Sequence, residues 1–199
     1  VSRLHGAVSR RLFAGLFPRW PEREVPVTHV TNGVHVPSWD SPWTDALWTR
    51  AAGKERWRGD VSALTEHILR LGDEELWRLR AQERDDLVRY ARARLLQKLA
   101  RHEPLETAVA TARGALRADA LTLGFARRFA TYKRASLLFR DLDRLRRLCT
   151  NPHRPLQIIF AGKAHPEDKP GKEVLQEVYR YTRDPRFEGR IAFLEDYDM

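Results

Sequence analysis

The 199-residue chain has little that would tie it to a membrane or to an oxidising compartment. No apolar run approaches the roughly 18 to 20 residues that a membrane helix needs. One cysteine, Cys149, excludes an internal disulfide; with no export-type hydrophobic segment at the start, this points to a reducing cytoplasm. Repeats and low-complexity segments are lacking too. Histidines 29, 35, 153 and 165 follow no common zinc spacing, so no metal site is expected. The chain opens Val1-Ser-Arg-Leu-His-Gly6 without an initiator Met and stops soon after the apolar run Phe193-Leu194. On that basis it is expected to be an internal piece of something longer.

What is present is a globular composition, 42% hydrophobic and 32% charged, with a net charge of +9. That length and composition suffice for a real core in one or two domains. A basic balance admits nucleic acid, an acidic membrane surface or an anionic substrate as partner. Most of the cations are arginines scattered beside acids, as in Glu22-Arg23-Glu24 and Glu83-Arg84-Asp85-Asp86. Scatter of this kind marks a solvated surface, so neither nucleic acid nor membrane is expected as a partner.

The first 118 residues read as mainly helical. Leu4, Val8, Leu12 and Leu16 recur every four residues, predicting a helix over 1–20 that Pro18 and Pro21 end. Val25–Val30 is β-branched and predicts a short strand, followed by an Asn32-Gly33 turn needing positive φ. Trp43, Trp48 and Trp57 lie in a mixed stretch and serve either as packing residues or as a sugar-stacking platform. Asp73 is expected to cap a long helix with Glu74 and Glu75 in its first turn and Leu76, Leu79, Leu87, Ala91, Leu95 and Leu99 as its stripe. A further helix is expected over about 105–117.

From Ala120 the texture alternates. Leu121–Phe125, Pro155–Ala161 and Arg190–Leu194 read as strands, the second buried on both sides. Between them come a helix with Leu138, Leu142, Leu145 and Leu148 on one face, which makes Cys149 a core thiol, and a helix from Lys172 to about Arg183 with Val174, Leu175, Val178 and Tyr181 inward. This βαβαβ order predicts a right-handed parallel sheet, Rossmann-like in kind.

Ligands of such sheets bind beyond the carboxyl ends of the strands. The segment Phe125-Ala-Arg-Arg-Phe-Ala-Thr-Tyr-Lys-Arg134 falls there and carries four cations with no acid among them. Guanidinium forks fit phosphate oxygens bidentately, a lysine acts as a point charge, and helix N-termini add partial positive charge at the same edge. Read from the residues alone, Arg128 and Lys133 either converge on a phosphate or face water.

The stretch Leu123-Gly-Phe-Ala-Arg-Arg-Phe-Ala-Thr-Tyr-Lys-Arg-Ala135 resembles the phosphate-binding segment of the α-glucan (glycogen and maltodextrin) phosphorylases, most closely the bacterial form. Four more stretches resemble the same family in the same order: Val1–Gly6, Val30-Thr-Asn-Gly-Val-His-Val-Pro-Ser-Trp39, Phe160-Ala-Gly-Lys-Ala-His-Pro166 and Phe193-Leu-Glu-Asp-Tyr197. The resemblance implies an α/β fold of GT-B glycosyltransferase architecture: a helical N-terminal part, then a partial Rossmann-like sheet. It divides the chain into the end of a glucosyl-binding domain (1–32), a crossover and helical segment (33–118) and the first part of a cofactor domain (119–199). The implied reaction is cleavage of a terminal α-1,4-glucosyl unit by inorganic phosphate, giving glucose 1-phosphate with retention. The implied partners are an α-glucan and phosphate, the implied cofactor is pyridoxal 5′-phosphate, and a homodimer of the longer protein fits the same picture. Position by position, Arg128 and Lys133 match substrate-phosphate ligands, and Lys133 also reaches toward the cofactor. Arg127 stands where a lysine contacts the cofactor phosphate, Asn32 matches a glucosyl-binding residue, Trp39 an aromatic near the cofactor phosphate, and His5 sits in a motif lining the same region. Lys163 is not the Schiff-base lysine, because the family's Gly-Thr-Ser-Gly-Met-Lys type motif occurs nowhere in these residues. The nearest competing class is a nucleotide-sugar glycosyltransferase, which also holds a diphosphate with an Arg and a Lys after a strand; a basic nucleic-acid-binding module is the third.

Overall fold

The computed structural model describes residues 2–58 and 62–197. The chain divides into two compact units, residues 1–68 and 69–199.

The first unit opens with α1 (Arg3–Phe13), capped by the Ser2 hydroxyl, which accepts from the His5 N–H. A 3₁₀ turn, Ala14–Leu16, follows, so the expected 20-residue helix is shorter. The expected leucine stripe does not pack: Leu4, Leu12 and Leu16 are more than 70% exposed. α1 is held instead through Gly6, against which His29 and the Thr28 carbonyl sit, through Arg10 donating to the Val27 carbonyl (3.0 Å), and through the Arg11–Glu22 pair at 3.6 Å. Residues 25–30 form no strand: β-branched side chains favour extended backbone, but no neighbouring strand pairs with them among the described residues. Gly33 does not take the positive φ expected of an Asn-Gly turn. α2 (Val36–Trp39) is a single turn. α3 (Pro42–Ala52) starts at Ser41, whose hydroxyl accepts from the Thr44 N–H, and it buries Leu47. Arg56 is buried behind it and donates to Asp40 (2.9 Å), Asp45 (2.8 Å) and the Thr49 hydroxyl (3.1 Å). α4 (Ser62–Leu69) completes this part. Trp43 is exposed, and Trp48 and Trp57 are half-buried.

The second unit begins with α5 (Asp73–Leu99), a 27-residue helix whose cap is Gly72; Asp73 is its first residue, joined by Glu74 and Glu75 at the positive end of the dipole. α6 (Leu105–Gly114) ends three residues short of expectation. β1 (Leu121–Ala126), β2 (Leu156–Ala161) and β3 (Ile191–Leu194) form a parallel sheet in the order β1-β2-β3, with Leu123 beside Ile158 and Ile158 beside Ile191. A 3₁₀ stretch, Ala135–Arg140, and then α7 (Leu142–Cys149) connect β1 to β2; α8 (Lys169–Thr182) connects β2 to β3. The helix expected across 135–148 is thus broken at Asp141, whose carboxylate caps α7 by accepting from the Arg144 N–H. The break resets the buried face. Ala135, Phe139, Leu145 and Cys149 point inward, while Leu138 and Leu148 are exposed. The core position expected for Cys149 is observed, and burial pushes its thiol pKa up, offset in part by Arg190. α8 starts three residues earlier than expected, at Lys169, because the Asp168 carboxylate caps it through the Gly171 N–H.

Strand side chains alternate between two layers. Ile158, Phe160, Ile191 and Phe193 meet Leu145, Cys149, Val178 and Phe187 on one side; Ile159, Ala161, Ala192 and Leu194 meet Val88, Ala91 and Leu116 on the other. Helices on both faces of a parallel sheet make this unit α/β. Among the described residues of this unit the buried polar side chain is Gln157, fully enclosed in β2. Its Nε2 donates to the Arg117 carbonyl and to the Thr122 hydroxyl, both at 2.7 Å, and its Oε1 accepts from the Arg117 N–H at 2.6 Å. These bonds pin the entrance of β1 to β2. Several arginines of α5 are likewise structural: Arg84 donates to the Ala118 carbonyl, and Arg92 to those of Ala115 and Leu116, holding the connector that leads into β1.

Candidate functional site

β1 and β2 end in register, Ala126 beside Ala161, but their ladder does not stop there. The Arg127 N–H donates to the Ala161 carbonyl at 3.2 Å and the Phe129 N–H to the Lys163 carbonyl at 2.9 Å, giving a parallel bridge between Phe129 and Ala164. Phe129 is fully buried and packs on Phe125 and Phe193, with ring centroids 5.5 and 5.9 Å away. Phe125 continues the chain of rings to Phe160. With Phe129 anchored inward, the charged residues before it, Arg127 and Arg128, lie exposed at the carboxyl edge of the sheet. A 3₁₀ turn at Thr131–Lys133 then reverses the chain, closed by Lys133 N–H to Ala130 carbonyl (2.9 Å). Arg134 ends the turn in the left-handed region, φ 56°. Half-buried Lys133 places its Nζ 4.7 Å from the centre of the exposed Tyr132 ring.

Some described cations of this unit are paired with carboxylates and others, Arg144 and Arg147 among them, are not. Arg117 pairs with Asp119 and Arg186 with Asp184, and each pairing raises the arginine's pKa and lowers its partner's. Among the described residues no carboxylate pairs with Arg127, Arg128 or Lys133. Arg127, Arg128 and Lys133 thus lie on one loop at the carboxyl edge of the sheet with no carboxylate paired to them, a local excess of positive charge that would attract an anion. Lys163 lies exposed on the adjoining loop, and His165 Nδ1 accepts from the Glu167 N–H at 3.2 Å.

The other candidates belong to the first unit. His5 stands exposed on the first turn of α1, beside Gly6 and its contact with His29. Asn32 lies in the irregular stretch after residue 30. Trp39 is the last residue of α2 and is 69% exposed. His35 Nδ1 and the Ser38 hydroxyl, 2.8 Å apart, brace the turn that carries Trp39. Among the described residues no three of His, Cys, Asp and Glu come together as a metal would need, and no helix is long and apolar enough to cross a membrane.

Sequence reasoning passed over Gly162 and Gly171. A Cβ on Gly162 would lie 2.1 Å from the Arg127 carbonyl oxygen, and one on Gly171 would lie 2.6 Å from that of Phe129. The available signal was a glycine immediately after a fully buried strand.

Compared with known proteins, the whole chain aligns with glycogen phosphorylase of Aquifex aeolicus (strain VF5) at 40% identity over 200 residues, 28% of that protein. It aligns with glycogen phosphorylase of Mycobacterium tuberculosis (strain ATCC 25618 / H37Rv) at 41% over 199 residues, 23% of that protein. The chain is a relative of the glycogen and maltodextrin phosphorylases. The maltodextrin phosphorylase of Thermococcus litoralis is 38% identical over 204 residues, 24% of its length. No family model matches. The chain therefore spans about a quarter of the length of the curated phosphorylases it matches, and the likeness runs through both units.

Proposed function

We propose that this chain is a segment of an α-glucan phosphorylase of GT-B architecture, in which the cationic loop at 127–133 holds inorganic phosphate against the terminal glucosyl unit of an α-1,4-glucan. The observation that carries the reading is the set of three cations without paired carboxylates at the carboxyl end of a parallel strand. In this assignment residues 1–32 close the glucosyl-binding domain, 33–118 form the crossover and helical segment, and 119–199 open the cofactor domain.

The reaction replaces one C1–O bond by another: the bond from C1 to the departing chain's O4 breaks, a phosphate oxygen bonds to C1 with retention, and a proton reaches O4. Two guanidinium forks and one ammonium suit two phosphates held close together, a pair that would otherwise repel by several kcal/mol in a low-dielectric site. Pyridoxal 5′-phosphate, when bound, would supply the second phosphate, a group able to donate and accept a proton. Arg128 and Lys133 would orient the substrate phosphate and stabilise charge developing on it, and Arg127 and Lys133 would hold the cofactor phosphate, a role that the resemblance extends to Trp39. By the same resemblance Asn32 would hydrogen-bond the glucosyl unit, and His5 would belong to a motif that serves the substrate. Lys163 takes no part in a Schiff base.

Arg128→Ala in the longer protein that carries this segment tests the assignment. The expected loss in kcat/KM for phosphate is about 2 to 4 kcal/mol, roughly 30- to 1,000-fold, the scale for removing one positioned donor. A change within twofold removes Arg128 from the site. Dependence on UDP- or ADP-glucose in place of phosphate-dependent release of glucose 1-phosphate would identify a nucleotide-sugar transferase instead.

A further inference from the structure

We propose that Gly162 is a positioning residue for the cationic loop, a role that rests on the phosphorylase reading and extends it to a residue bearing no charge. Gly162 is buried directly after β2, with φ +144°, a conformation that side-chain-bearing L-residues rarely adopt. A Cβ there would meet the Arg127 carbonyl oxygen at 2.1 Å, its carbonyl carbon at 3.0 Å and the Phe129 ring at 3.3 Å. The first two are main chain and cannot swing aside. The contact is flanked by the two ladder bonds, Arg127 N–H to Ala161 and Phe129 N–H to Lys163. The missing side chain is what lets residues 161–163 close on residues 127–129 and so fixes where Arg127 and Arg128 stand. Gly171 approaches the same loop from the start of α8, where a Cβ would press on the Phe129 carbonyl at 2.6 Å, and on the capping Asp168 carboxylate at 2.7 Å, without any unfavourable φ. Guanidinium groups that bind phosphate bidentately are sensitive to shifts of about 1 Å, so displacing this backbone weakens phosphate binding with every charge still in place.

The test is steady-state phosphorolysis by the longer protein carrying Gly162→Ala, with Gly171→Ala, Gly114→Ala and Val178→Ala alongside. Gly114 has nothing within 4 Å of an added Cβ, and Val178 is buried in the core on α8, seven residues beyond Gly171. Gly162→Ala is expected to raise the KM for phosphate at least tenfold while the KM for glucan stays within twofold; Gly171→Ala should move phosphate KM in the same direction, and Gly114→Ala should move neither. Val178→Ala should lower the melting temperature with phosphate KM unchanged. Should Gly162→Ala fail to fold, Gly171→Ala decides the matter by the same ratio. Phosphate KM unmoved by the glycine variants, or moved equally by Val178→Ala, overturns the positioning role. If the parent protein shows no phosphorolysis, or Arg128→Ala leaves phosphate KM unaltered, the phosphorylase reading itself fails; an active parent weakened by Arg128→Ala but indifferent to both glycine variants sinks the positioning role alone.

Discussion

Replacing Gln157 by leucine is the sharpest test of how the sheet is assembled beneath the site. The two side chains are close in volume, so the change leaves little cavity and acts through polar satisfaction. It removes partners at 2.6, 2.7 and 2.7 Å from the Arg117 N–H, the Arg117 carbonyl and the Thr122 hydroxyl; the carbonyl still accepts from the Ala120 N–H (3.4 Å) and the hydroxyl still donates to the Ala120 carbonyl (3.2 Å), so the N–H is the group left stranded. Water reaches part of this spot, since Arg117 is exposed and Thr122 half-buried, so the stranded N–H costs about 1 to 2 kcal/mol and each of the two other lost hydrogen bonds about 0.5 to 1.5 kcal/mol. Burying leucine in place of an amide returns about 1 to 2 kcal/mol. At the middle of these ranges the net loss is about 2 kcal/mol, a fall in melting temperature of roughly 4 to 8 °C for a chain of this size. Urea unfolding followed by circular dichroism gives the free energy, and amide exchange at Arg117 gives the location. A loss under about 0.5 kcal/mol, or an Arg117 amide that exchanges as slowly in the variant as in the parent, would show that the amide of Gln157 does not hold β1 in place.

Three carboxylates set the acid limb of stability. Lys54 and Arg56 hold Asp45 below its ordinary value of 3.8, and Arg117 and Arg186 do the same for Asp119 and Asp184. A depressed carboxylate stabilises the fold above its unfolded pKa and loses that contribution as pH falls through the folded one. Stability should therefore drop below about pH 4, and an NMR titration placing these groups at or above 3.8 contradicts the ion pairs. Arg56→Ala leaves Asp40 without its buried partner and should destabilise the first unit by about 3 kcal/mol, read from thermal unfolding; a loss under 1 kcal/mol would mean the pair is not held in solution. Cys149, buried and with its thiol pKa raised, should resist alkylation until denaturant is added; rapid labelling of the native chain would place it elsewhere.

The parallel sheet was legible because β2 is flanked by helices on both faces and so lacks polar alternation: Ile158, Ile159 and Phe160 follow one another in the sequence. The cationic loop was legible because four cations without an acid stand out even among many arginines. Residues 25–30 misled because β-branched composition describes a backbone preference and says nothing of a partner strand. The 135–148 helix misled because Asp141 can cap a helix as well as sit on its polar face, and capping shifted burial from Leu138 to Phe139. The arginines of α5 were read as solvated surface, yet Arg84 and Arg92 grip main-chain carbonyls of residues that are distant in the sequence. Gln157 and Gly162 stayed hidden for the same reason: their importance lies in atoms of other residues that periodicity does not register.

The bridge between Phe129 and Ala164 has a dynamic corollary. Because backbone bonds of the cationic loop belong to the sheet's own ladder, that stretch should open only when the strands themselves separate, with amide protection at Arg127 and Phe129 rivalling that of β2. It is then no flap that closes over an incoming anion. Its ordering entropy is settled when the polypeptide folds, and only the tips of Arg127, Arg128 and Lys133 remain to be immobilised on encounter.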